Sequence, residues 1–93
     1  MPPRTFHVQE ITDKTATFVW SHPRTGQPHD YLITIRNNEN KEEREYPAVA
    51  YPGTEFVVWY LEQSTPYTAF LNARRNGVKS TNMSIGFRTG KYR

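Results

Sequence analysis

Ninety-three residues suit one domain, and a chain of this length buries only roughly 60 to 65% of its unfolded surface, so it holds a single core. The absence of cysteine excludes a disulfide staple and a thiolate metal site, and no run of about 18 apolar residues is present to span a membrane. A net charge of +3 and a pI near 9.4 make the chain mildly basic, which points towards polyanions only if the cations are grouped.

The hydrophobic fraction is a low 35%, yet 14% of residues are aromatic, so large rings must supply the core. Trp20, Tyr31, Phe56 and Tyr67 are the candidates. Met1-Pro2-Pro3 lacks the charged start and apolar middle of a signal peptide. The chain therefore reads as a segment of a longer protein, with Met1 as an added start.

Phe6 and Val8 open a first strand that ends near Ile11, before a turn at Asp13-Lys14. Thr15 to Trp20 alternates, with Ala16, Phe18 and Trp20 on one face; its Thr, Val and aromatic content fits a half-buried strand. Ser21 to Pro28 holds two prolines and a glycine and reads as a loop. His29 to Arg36 alternates again, with Tyr31, Ile33 and Ile35 inward. Asn37 to Glu45 is polar. A helix over Lys41-Glu42-Glu43-Arg44 would lack an apolar stripe and run towards Pro47, so a solvated loop leading into a short edge strand is expected.

Tyr51-Pro52-Gly53 marks a turn, and Thr54 to Tyr60 forms a strand with Phe56 and Val58 inward. Leu61-Glu62-Gln63-Ser64-Thr65-Pro66-Tyr67 reads as a strand end and a tight corner. Tyr67, Ala69, Leu71 and Ala73 then alternate along the next strand. A tyrosine at such a corner buries its ring and bonds its hydroxyl to backbone a few residues upstream. Asn76-Gly77 is a strong hairpin signal, and the last strand sets Ile85 and Phe87 inward before the exit through Thr89-Gly90-Lys91. Seven short strands with turns about every ten residues predict an all-β, antiparallel, two-sheet sandwich.

Trp20 on the second strand, followed by the Leu-x-x-x-Thr-x-Tyr pattern of Leu61, Thr65 and Tyr67, resembles the fibronectin type III family. The resemblance runs from about Pro3 to Thr89. It implies one domain over 1–93, with a core at about 4–89 and flexible ends at 1–3 and 90–93. In that family a third-strand tyrosine sits beside the indole, and Tyr31 matches that place, giving a structural core of Trp20, Tyr31, Leu61 and Tyr67. Gln63 stands where the family often has proline, which implies a less stiff corner. The lack of paired cysteines separates the chain from disulfide-bonded immunoglobulin domains. The implied role is a non-catalytic interaction or spacer module of a larger cell-adhesion, receptor or extracellular-matrix protein. It would be extracellular or cell-surface, monomeric as an isolated domain, and free of cofactor. An accessory module on a bacterial secreted enzyme is the other role the family implies.

Catalysis needs convergent groups, and the sequence offers few. His22 and His29 bracket one loop, but no third zinc ligand is evident, since Asp30 would point away from His29 on a strand. Ser21-His22 lacks an orienting third group, and no Gly-rich phosphate loop is present. Glu42, Glu43 and Glu45 form a carboxylate group in a solvated segment.

Binding is the more natural expectation. Leu32, Thr34 and Arg36 with Thr68, Phe70 and Asn72 form an outward set, in which Leu32 and Phe70 predict an exposed apolar patch. Val19, Val57 and Trp59 predict a second on the other sheet. The plain alternative is ordinary surface hydrophobicity under long polar stems. Arg74, Arg75 and Lys79 around Asn76-Gly77, with Arg24 in a loop that the family resemblance implies lies at the same end, would present cations to a sulfated glycan or an acidic protein surface. The equal alternative is that those charges only keep a hairpin tip soluble. Arg88, Lys91 and Arg93 at the exit end would neutralise the acidic segment. Split between two ends, the cations form no stripe for nucleic acid. Asn82-Met83-Ser84 matches a glycosylation acceptor.

Overall fold

A computed structural model describes residues 5–21, 28–47, 49–50, 53–79 and 83–91. Its strands are β1 (Phe6–Ile11), β2 (Ala16–Trp20), β3 (Asp30–Asn37), β4 (Glu43–Glu45), β5 (Val49–Ala50), β6 (Glu55–Val58), β7 (Pro66–Arg75), β8 (Val78–Lys79) and β9 (Met83–Arg88). They form two antiparallel sheets. The smaller runs β1-β2-β6; the larger has β3 and β7 at its centre, with β4 and β5 along β3 and β8 and β9 along β7. Nine strands replace the expected seven because two of the edges are interrupted. β4 and β5 are successive pieces beside β3, broken around Pro47, whose missing N–H cannot join a ladder. β8 and β9 are likewise two pieces beside β7.

Alternation sets the layers. Phe6, Ala16, Phe18, Trp20 and Val58 face inward from the smaller sheet, and Tyr31, Ile33, Ile35, Tyr67, Ala69, Leu71 and Ala73 face them from the larger. Trp20 and Tyr31 lie 5.3 Å apart, ring to ring, and Phe18 stands edge-on to Phe87 at 5.3 Å. Trp20, Tyr31, Leu61 and Tyr67 expose 4, 0, 6 and 5% of their surface.

Turn chemistry closes the ladders. Asn76 and Gly77, with φ of 53° and 78°, make the tight turn that pairs Arg75 with Val78. Between β3 and β4 the Asn37 carboxamide oxygen accepts the Glu39 N–H, and Lys41 adopts φ 67°. A helix is absent there because Asn37 has already turned the chain back on itself. A Cβ at Gly53 would lie 2.7 Å from Val49 Cγ1 and 3.1 Å from the Ala50 carbonyl oxygen, so a larger residue there would force Val49 to move.

The corner between the sheets is bonded at several points. The Glu62 N–H donates to the Tyr67 hydroxyl at 2.8 Å. Thr89, 3% exposed, accepts the Thr65 N–H at 2.9 Å and donates to the Glu62 carbonyl. The Ser64 N–H donates to the Gly90 carbonyl, and the Gly90 N–H to the Thr12 carbonyl. The looseness expected from Gln63 is offset by this exit segment, and Gly90 is held on both sides.

Candidate protein-binding surfaces

The outer face of the larger sheet carries Asp30, Leu32, Thr34 and Arg36 of β3 opposite Arg74, Asn72, Phe70 and Thr68 of β7. An open trough of about 410 Å³ crosses it, lined by Thr34, Glu43, Glu45, Phe70, Asn72 and Lys79. Phe70 is half-buried at its centre. Leu32 does not share an exposed patch with it, because Leu32 is only 6% exposed. Its cross-strand partner is Asn72 and its diagonal neighbours are Phe70 and Arg74, side chains long enough to shield an outer-face leucine. One ring flanked by polar groups thus takes the place of the predicted apolar pair.

Trp59 does not join Val19 and Val57 in a patch on the smaller sheet. β6 ends at Val58, and the Trp59 ring packs 5.4 Å from Tyr46 and 5.6 Å from Phe56, at the edge between the sheets. There Arg44, on the inward-facing side of edge strand β4, donates to the Tyr46 hydroxyl and to the Trp59 and Tyr60 carbonyls at 3.2, 3.4 and 3.3 Å. The Tyr46 hydroxyl donates to the Trp59 carbonyl at 2.7 Å. This latch joins β4 to the end of β6, and an inward-pointing charge also protects the edge from foreign strands. Trp59 remains 38% exposed, and Tyr60, in the left-handed region at φ 64°, is 79% exposed. Val57 is 43% exposed and Val19 half-buried, on β6 and β2.

At the β7–β8 hairpin, Arg74 forms a two-pronged pair with Asp30, at 2.8 and 2.7 Å, so its guanidinium is engaged within the sheet. Lys79 lies 4.0 Å from Glu45. Arg75 is exposed on the last residue of β7; Arg24 and Asn82 fall outside the described residues. Among the described residues Arg88 and Lys91 pair with none of the acidic-segment carboxylates, and Glu45 turns to Lys79 instead.

Hydrogen bonds from Arg74 hold the Asp30 carboxyl below its ordinary 3.8, against the opposing effect of burial. A carboxyl lowered in the fold contributes stability above its unfolded value and loses it as pH falls through the folded value. Asp30→Asn is therefore expected to lower the urea midpoint at neutral pH and to match the parent in strong acid. Urea titrations at the two pH values check this.

Among the described residues, no group of three His, Cys, Asp or Glu is placed to hold a metal ion, and no helix is long and apolar enough to cross a membrane. Two antiparallel sheets locked by a tyrosine corner define an immunoglobulin-like β-sandwich module. The chain belongs to the fibronectin type III family, whose domain model matches residues 1–85.

Solved structures agree. A computationally redesigned β-sandwich protein superimposes with a TM-score of 0.84 at 26% identity, covering 100% of this chain and 93% of the other. A two-domain fibronectin type III segment of chicken tenascin gives 0.88 at 24% identity, covering 96% and 49%. The chicken CNTN1 FN1–FN3 domains give 0.86 at 16%, covering 96% and 31%. At those two identities the likeness shows the fold alone, and this chain spans about half and a third of their lengths. Among curated proteins, none matches the chain. Domains of this family are in general non-catalytic modules, common in multidomain adhesion and matrix proteins and frequent in extracellular and cell-surface ones.

Proposed function

We propose that this domain is a protein-interaction module of a larger adhesion, receptor or matrix protein, displayed outside the cell and monomeric by itself. Its partner seats on the outer face of the larger sheet, around Phe70. The observation that carries this reading is the 410 Å³ trough over the two central strands, with one half-buried ring between carboxylates and a lysine. A ring surrounded by polar groups is the usual anatomy of a hot spot, and β3 and β7 hold it rigidly. A polyanion site at the hairpin is less well supported, because Asp30 already engages Arg74 and Glu45 lies beside Lys79.

A photoreactive phenylalanine analogue at position 70 of the parent protein, expressed in its native cells, tests the reading. A discrete protein adduct at position 70, absent when the analogue replaces Val57, is expected. Equal labelling from both positions, or none, would contradict the assignment.

A further inference from the structure

A second surface lies on the sandwich edge; it shares Glu43 with the trough but not Phe70. Between the β3–β4 hairpin and the segment 60–62 is a cleft of about 100 Å³. The aliphatic part of its lining is Ile35 and Leu61, 3% and 6% exposed, beside the buried Asn37, Tyr46 and Tyr67. Tyr60 borders it with 79% of its surface in water, on backbone held in the left-handed region that tyrosine rarely adopts. Trp59 precedes it, 38% exposed, so two aromatic residues stand together at the end of β6.

Charge selects the occupant. Glu42, Glu43 and Glu62 line the cleft against a single cation, Arg44. Three carboxylates and one guanidinium leave the lining at −2, on a chain whose total is +3. Arg44 is occupied by the Tyr46 hydroxyl and two carbonyls. Among the described residues, none of the three carboxylates forms an ion pair.

Size narrows it further. Small-molecule pockets run to about 300–1,000 Å³, so this volume suits one side-chain head. Two buried aliphatic side chains, a carboxylate rim and an exposed ring together fit a side chain with a methylene stem and a planar cationic head. We propose that this edge docks a protein partner through an arginine inserted between Tyr60 and the Glu42–Glu62 rim.

The test is a titration of the ¹⁵N-labelled chain with N-acetyl-arginine amide, and separately with its neutral isostere N-acetyl-citrulline amide. Saturable amide shifts confined to residues 40–44 and 60–62 are expected, with citrulline at least about tenfold weaker, since it forfeits the charge-assisted bonds. Glu42→Gln with Glu62→Gln should abolish the response, while Phe70→Ser leaves it intact and so separates this site from the trough. Tyr60→Asn should also weaken it severalfold. Asparagine tolerates the left-handed backbone, so that variant remains informative if the double one unfolds. Scattered or unsaturable shifts, an equal response to citrulline, or binding retained in the variants would overturn the proposal.

Discussion

Replacing Trp20 by alanine is expected to cost about 3–5 kcal/mol, the range for emptying a large aromatic site in a packed core. The indole is 4% exposed, tilted against Tyr31 at 5.3 Å, and opposite Phe6 in the β1–β2 register. Since total stability of such a domain is about 5–15 kcal/mol, the variant sits near the limit of folding. Each kcal/mol shifts the melting point by about 4–8 °C at this size, so calorimetry would show a drop of tens of degrees. A loss below about 1 kcal/mol, typical of a surface position, would mean that the indole does not wedge the layers apart.

The second large effect is expected at Thr89. Thr89→Val keeps the shape and removes a hydroxyl that serves two backbone groups, the Thr65 N–H and the Glu62 carbonyl. Leaving the buried Thr65 N–H unsatisfied costs about 1–3 kcal/mol, and the carbonyl of the exposed Glu62 adds little because water can reach it, so about 1–3 kcal/mol is expected from chemical unfolding. Tyr67→Phe should cost less, because the Glu62 N–H it abandons lies on an exposed residue that water can reach. A Thr89→Val loss smaller than that of Tyr67→Phe would contradict the bonding assigned to the corner.

Tyr67 adds an alkaline signature. Burial raises its phenol above the ordinary 10.0, although the bond from the Glu62 backbone opposes this. A raised acid contributes its stability below the unfolded value and loses it as pH climbs through the folded one. Stability should therefore fall above pH 10 in the parent and less steeply in Tyr67→Phe, by denaturant midpoints across that range.

Where alternation was clean, the sequence was sufficient. Ala16, Phe18 and Trp20, or Tyr67 through Ala73, are inward because period two puts them there, and Asn76-Gly77 announces its turn chemically. Candidate surfaces were less legible, because exposure depends on neighbours across strands. Leu32 has outward parity yet is covered, and only the β3–β7 register reveals which side chains stand around it. Trp59 follows β6 in phase with Val57, but the chain leaves the ladder after Val58 and the indole packs on Tyr46. Arg44 offered one faint clue, as a cation on the inner phase of a Glu-Arg-Glu edge. Two of its three acceptors are 15 and 16 residues away, beyond any local pattern.

The central claim is that the corner locks two sheets into one rigid body, and amide hydrogen exchange at Glu62 tests it most directly. This residue is exposed, so its N–H would exchange quickly were it not held by the Tyr67 hydroxyl. Exchange as slow as that of the central β3 and β7 amides, and accelerated to loop rates by Tyr67→Phe, is predicted. Loop-rate exchange at Glu62 in the parent protein would contradict a locked corner.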